Sequence, residues 1–194
     1  MTGVQTCALP ISTGEVGNRR YAGRTITPFP VPGTVGASYV ANGSEHDEQG
    51  DTTHQPQVHV DQTERRFSKL ALLEDGTYDS ENTSASVAIL PWGGSKGAAR
   101  AAYNRLRADG TDLAWYFTMF INPMPPALVE ELRAKDLVIV PELNYLGQFS
   151  SVLRGMGINA HSIRQYTGLP FKEGFLVEQV QAMIKAQSGK LVRA

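Results

Sequence analysis

From about residue 84 to the C-terminus, short apolar runs alternate with amphipathic stretches, and glycines or prolines punctuate the changes of period. That rhythm marks βαβ units and leaves few architectures open. "LVIVPEL" at 137–143 has the β-branched, apolar composition of a strand buried on both faces, as in a parallel sheet. "ASVAILPW" (85–92), "TDLAWYFTMF" (111–120) and "NAHSIRQYTG" (159–168) read as its companions. A helix is expected over "KGAARAAYNRLRADG", with Ser95 as its cap and Ala98, Ala101, Ala102 and Leu106 on the packed face. Others are expected over "PALVEELRAKD", with Pro126 in the first turn, over "GQFSSVLRGMG" and over "KEGFLVEQVQAMIKAQ". Right-handed crossovers lay such strands parallel, with helices on both faces. The expected fold class is α/β, an open, mostly parallel sheet.

Upstream the pattern is different. Pro28, Pro30 and Pro32 each remove a backbone donor, so neither a helix nor a central strand runs through them. "ASYVANG" reads as one short strand ending in a turn at Asn42-Gly43, within an extended arm from about Ser12 to Pro56. Val60, Phe67, Leu70 and Leu73 then recur near helical spacing, with Asp61 as the expected N-cap and Glu64 three residues on. "GTYDSENTSA" reads as a polar linker.

Composition excludes several function classes. The net charge is −1, and no basic patch of the kind a nucleic acid usually requires stands out in the sequence. No apolar run approaches the roughly 20 residues that span a bilayer. Cys7 is the single cysteine, so no internal disulfide or four-cysteine cluster can form. Residues 1–11 resemble a translated short-read sequencing adapter and lack the charged start and apolar core of a secretory signal. On that expectation Cys7 is not biological and the reading frame begins inside a gene.

Three stretches carry weighable chemistry. "GGSKG", Gly93, Gly94, Ser95, Lys96 and Gly97, offers backbone donors at a helix start and a lysine, the elements of an anion site. It has neither Walker A nor dinucleotide-turn spacing, and a plain strand-to-helix turn explains it equally. "SEHDEQGD" brings His46, Asp47 and Asp51 together as candidate metal ligands, with Glu45 or Glu48 as acid or base, or forms a solvated or interface loop. "PELNYLGQF" follows the third strand, where open α/β sheets bind ligands, and places Glu142, Asn144 and Gln148 at its C-terminal edge. Alternatively Asn144 and Gly147 shape a turn and Gln148 caps a helix. No serine or cysteine stands in a nucleophile elbow.

Taken together, "GSEHDEQG", "ILPWGGSKGAARAA", "VPELNYLGQFSSVLRG" and "YTGLPF" resemble the C-terminal half of the alpha subunit of 2-oxoacid:ferredoxin oxidoreductases, nearest the 2-oxoglutarate branch, from about Tyr21 to Gln187. The resemblance implies a thiamine-diphosphate enzyme that oxidatively decarboxylates a 2-oxoacid to an acyl-CoA and reduces ferredoxin through an iron–sulfur cluster. It implies residues 12–56 as the tail of a pyrimidine-binding domain and connecting arm, 57–83 as helix and linker, and 84–194 as a transketolase C-terminal-like domain. Thiamine diphosphate, Mg2+ and the cluster then belong to the full complex with a beta subunit in the cytoplasm, and this chain alone binds none of them and is inactive. Glu45, His46, Asp47 and Glu48 match the arm motif, with an implied domain or subunit contact. Glu142, Asn144, Leu146, Gly147 and Gln148 match the helix-start motif, with an implied structural and interface role. "GGSKG" stands where such proteins often read Gly-Ser-Thr-Lys-Gly, which leaves the turn chemistry intact. The alternatives are the C-terminal domain of another thiamine-dependent subunit, or a non-catalytic α/β interaction module.

Overall fold

A computed structural model describes residues 11–12, 20–23, 26–27, 29–36, 39–73 and 76–191. The expectations placed on residues 1–10, Cys7 among them, and on Pro28 lie outside that set. The chain divides into two compact units, residues 1–73 and 74–194.

In the second unit the sheet has the strand order β3-β5-β4-β6-β7, with β3 at Tyr78–Glu81, β4 at Val87–Ile89, β5 at Ala114–Thr118, β6 at Leu137–Glu142 and β7 at Ala160–Arg164. Every neighbouring pair is parallel except β3 with β5. The helices are α2 (Lys96–Ala108), α3 (Pro126–Arg133), α4 (Gln148–Gly155) and α5 (Glu173–Leu191). Strand alternation divides the core in two. Val87, Ile89, Trp115, Leu137, Ile139 and Ile163 face Ala102 and Leu106 of α2 and Leu176 and Val180 of α5. Ala88, Leu90, Tyr116, Val138 and Val140 face Leu128 and Leu132 of α3 and Phe149 and Leu153 of α4. All six residues of β6 are buried, which is why its run lacks the polar alternation of a half-exposed strand.

Three expectations need correction here. The "polar linker" contains β3, whose burial is slight because it is an edge strand and gains its place by pairing with β5. Tyr78 and Tyr116 tie this end down, each hydroxyl donating to Glu131 of α3, at 2.6 and 2.8 Å. Burial, and then that bond, push the Tyr116 hydroxyl well above its ordinary pKa, so it remains a donor. The packed face of α2 is Ala99, Ala102, Tyr103 and Leu106: Ala102 and Leu106 are buried as expected, Ala99 and Tyr103 complete the face, and Ala98 is only partly buried against it. Ser95 stands at the N-cap position but makes no side-chain cap; its hydroxyl turns back to Trp92, donating to the carbonyl at 2.8 Å and accepting from the N–H at 3.1 Å.

In the first unit, β1 (Ile11–Ser12) pairs parallel with β2 (Phe29–Pro30), and α1 spans Pro56–Ser68 before a 3-10 turn at Leu70–Leu73. Asp61 lies inside α1, not at its cap: Pro56 starts the helix, where its preset φ is favourable and its missing N–H is not needed. Of the strand expected over 37–43, the described residues 39–43 are not extended into a sheet, and Asn42 closes a turn by accepting from the Ser44 N–H at 2.8 Å. Buried Gln62 and Arg65 of α1 donate to the carbonyls of Tyr21 (3.0 Å) and Arg20 (2.9 Å), with Arg65 also reaching the Thr27 hydroxyl at 3.1 Å.

Candidate functional site

Chain order and sheet order diverge at β4, since β5 lies on one side of it and β6 on the other. The loops leaving β4 and β6 therefore separate at the carboxyl edge, the topological switch point where open α/β sheets form their crevice. A cleft of about 280 Å3 lies there, lined by Trp92, Gly93, Gly94 and Ser95 after β4 and by Leu143, Asn144 and Gln148 after β6. Two motifs singled out from the sequence thus meet in one place, fifty residues apart in the chain.

Glu142 ends β6 fully buried. Its carboxylate accepts from the Phe149 N–H at 2.8 Å, the Ser150 N–H at 3.0 Å and the Asn144 side-chain amide at 2.9 Å. The Asn144 carbonyl oxygen in turn accepts from the N–H groups of Gly147 (2.7 Å) and Gln148 (3.2 Å). The four donors that open α4 are thereby all satisfied from within the chain. Glu142 and Asn144 together cap α4, a role for Glu142 that the sequence did not suggest, while Asn144 also lines the cleft. Both oxygens of Glu142 accept hydrogen bonds from the start of α4, and the side chain is fully buried beneath it. Gln148 is the first residue of the helix rather than its cap; Gly147 holds that position at φ 67°. A Cβ on Gly147 would lie 2.7 Å from the Ser162 hydroxyl oxygen and 3.1 Å from that of Ser150, so both conformation and space require glycine.

Across the cleft, Gly93 has φ 52° and opens a 3-10 turn that ends at Ser95. Lys96 does not enter the cleft. Its ammonium sits 3.6 Å from the centre of the Phe117 ring and 3.6 Å from an Asp79 carboxylate oxygen, on the side of β5 and β3. The lysine of the expected anion site is thus engaged elsewhere, and the strand-to-helix turn is what the geometry shows. A Cβ at Gly94 or Gly97 would meet nothing within 4 Å, so packing within the chain does not demand glycine at either.

The acidic stretch belongs to the other unit. Glu45 accepts from both terminal nitrogens of Arg66, at 2.6 and 3.1 Å, and lies 2.8 Å from His59 Nδ1. The bond to Arg66, with His59 behind it, holds its carboxyl below the ordinary carboxylate value despite some desolvation. Asp47 accepts from the N–H groups of Gln49, Gly50 and Asp51 through one oxygen, closing a turn. His46 is buried and stacks on Tyr21, with ring centres 4.4 Å apart. Of the expected metal ligands, His46 is thus stacked on Tyr21 and Asp47 is occupied by the turn that includes Asp51. Among the described residues, no three His, Cys, Asp or Glu side chains stand together as a metal site.

Sequence reasoning missed Trp92, which walls the cleft and packs against Phe149 at 5.6 Å, and Leu143 beside it. Their only sequence signal is position directly after two strands. Among the described residues no helix is long and apolar enough to cross a membrane.

No protein-family model matches the chain. It is 32% identical over 162 residues to the 2-oxoglutarate oxidoreductase subunit KorA of Mycobacterium tuberculosis, covering 81% of this chain and 24% of that protein. It is 29% identical over 176 residues to the 2-oxoacid:ferredoxin oxidoreductase subunit alpha of Saccharolobus solfataricus, covering 86% of this chain and 28% of that one. Among solved structures, it superposes with a TM-score of 0.71 and 30% identity on a 2-oxoglutarate:ferredoxin oxidoreductase from Magnetococcus marinus with 2-oxoglutarate, coenzyme A and succinyl-CoA bound, covering 89% of this chain and 32% of that chain. The chain thus spans about a quarter to a third of the length of these relatives. By sequence and by fold it matches the C-terminal portion of the alpha subunits of 2-oxoacid:ferredoxin oxidoreductases.

Proposed function

We propose that this chain is a structural, non-catalytic part of the alpha subunit of a thiamine-diphosphate-dependent 2-oxoacid oxidoreductase that converts 2-oxoglutarate to an acyl-CoA and reduces ferredoxin. The alignment over most of the chain carries this reading, and the substrate follows the names of the Mycobacterium and Magnetococcus relatives. Residues 84–194 are then the transketolase C-terminal-like domain, 57–83 the helix and linker before it, and 12–56 the tail of the pyrimidine-binding domain with its connecting arm.

The cap at Glu142 supports a non-catalytic role, because the carboxylate at the switch point is fully buried and bonded to Phe149, Ser150 and Asn144. None of the residues lining this cleft is a carboxylate, histidine or cysteine. Thiamine diphosphate, Mg2+, the iron–sulfur cluster, the beta subunit, ferredoxin and coenzyme A belong to the full cytoplasmic complex. Glu45, His46, Asp47, Glu48 and the residues flanking the cleft serve as structural and subunit-contact positions. Gly94 and Gly97, bare on their open side, admit close approach by such a partner.

The test is a graft. The C-terminal portion of the Mycobacterium subunit is replaced by this chain and co-expressed with its beta subunit, and coenzyme A-dependent reduction of ferredoxin by 2-oxoglutarate is followed. Assembly with turnover is the expected result, and this chain by itself shows none. Failure of the graft to assemble, or turnover by this chain without a beta subunit, overturns the proposal.

A further inference from the structure

β7 is the outer strand of the sheet, and its free side has an unusual state of completion. The Asn159 carbonyl accepts from the Val138 N–H at 2.9 Å, and the Gln165 N–H donates to the Glu142 carbonyl at 3.0 Å. In a parallel ladder, residues of one parity serve one neighbour. Positions 159, 161, 163 and 165 therefore bond to β6, and 160, 162 and 164 turn their N–H and C=O groups outward. The first of these rungs is closed from within: the Ala160 N–H donates to Ile158 at 2.8 Å, and the Ala160 carbonyl accepts from Arg154 at 3.0 Å. Among the described residues, the rungs at Ser162 and Arg164 have no such cover.

Those two rungs lie in a groove of about 550 Å3, lined by Tyr145, Ser162, Ile163, Arg164, Tyr166 and, from α5, Phe175, Gln179 and Met183. That volume falls in the roughly 300–1,000 Å3 range of ligand sites. Tyr145 and Tyr166 meet edge to face at 5.0 Å and remain 63% and 65% exposed, forming one wall; α5 forms the other. Arg164 is the charged side chain among the lining residues. One of its terminal nitrogens donates to the Tyr145 carbonyl at 3.0 Å, which fixes the guanidinium in the groove and leaves further donors for a carboxylate.

We propose that β7 is a strand-addition site for an acidic, extended segment of another protein. The segment's backbone completes the ladder at Ser162 and Arg164, its carboxylate pairs with Arg164, and its apolar side chains rest on Tyr145, Tyr166 and Phe175. Walls on both faces of the edge favour one extended segment over the whole sheet of a second copy.

The probe is a fluorescein-labelled pentapeptide of alternating valine and glutamate, titrated into the full chain by anisotropy. Its controls are the valine–lysine version and one with N-methylated outward amides. Saturable binding is expected, about tenfold or more tighter than either control. Ser162→Pro removes an outward N–H without touching the β6 ladder and weakens binding by a similar factor. Arg164→Glu reverses the preference between the acidic and basic peptides, and it carries the test if Ser162→Pro unfolds the chain. No saturable binding, or equal binding of the acidic and basic peptides, overturns the proposal. So does a dimer, seen by light scattering, that Ser162→Pro disperses, since it assigns the edge to a second copy.

Discussion

The two units of the chain differ in what they bury: the second has an apolar core beside its buried Ser95, Thr118, Glu142 and Ser150, and the first has polar side chains. Every buried apolar residue among those described lies between Ala85 and Val180, whereas the buried side chains of residues 20–73 with polar groups are His46, Gln62 and Arg65. In the second unit each buried large apolar side chain contributes about 1.5–3 kcal/mol. In the first, α1 leaves Val60 and Phe67 largely exposed and works through hydrogen bonds, each worth about 0.5–1.5 kcal/mol net. The Nε2 of His46 and the Nε of Arg65 are buried without a hydrogen-bond partner among the described residues. Length and helix content do not make these regions equivalent: one has an apolar core, and the other a polar lacing.

The contrast is sharpest at Glu142. Glu142→Leu leaves three donors unanswered inside the second unit, and a loss of about 4 kcal/mol is expected in urea unfolding followed by tryptophan fluorescence. A loss below about 1 kcal/mol breaks the view of this carboxylate as a cap. Gly147→Ala combines a left-handed backbone with the 2.7 Å approach to Ser162, for an expected cost of about 3 kcal/mol. A matched pair compares the units directly: Leu106→Ala should cost about 3 kcal/mol, and Phe67→Ser less than about 0.5 kcal/mol. Equal costs erase the distinction.

The smallest effect is a pH dependence in the first unit. The Glu45 carboxyl is lowered in the fold, so its contribution is fully present above its unfolded value of about 4.5 and is lost as pH falls through the lower folded value. Wild type and Glu45→Gln should differ by less than about 1 kcal/mol at neutral pH, because Arg66 is half exposed, and converge in acid. A gap that widens on acidification contradicts the Arg66 bond as its origin.

Much of the α/β unit was legible because each element announced itself locally. The apolar run of β6 and the glycine before α4 specify strand, turn and helix within twenty residues. β3 was not legible, since "YDSE" is polar and owes its conformation to β5, which follows it by some thirty residues. α1 was placed late because Asp61 and Glu64 imitate a cap, while Pro56 fixes the actual start. The cleft is half legible: both motifs stand out in the sequence, but not that they meet, and the lysine offered for an anion site at the first lies toward Phe117 instead. The capping role of Glu142 depends on α4 folding back over the end of β6, which no local pattern states.

The central claim is that the switch-point carboxylate holds the fold and does no chemistry. It is tested most directly by placing Glu142→Gln in the grafted oxidoreductase and measuring kcat per assembled complex beside the melting temperature. A lower melting temperature with kcat changed by less than about twofold is expected, since each tenfold in rate corresponds to about 1.4 kcal/mol of transition-state stabilisation. A fall in kcat of about a hundredfold at unchanged melting temperature would contradict it and place Glu142 in the reaction.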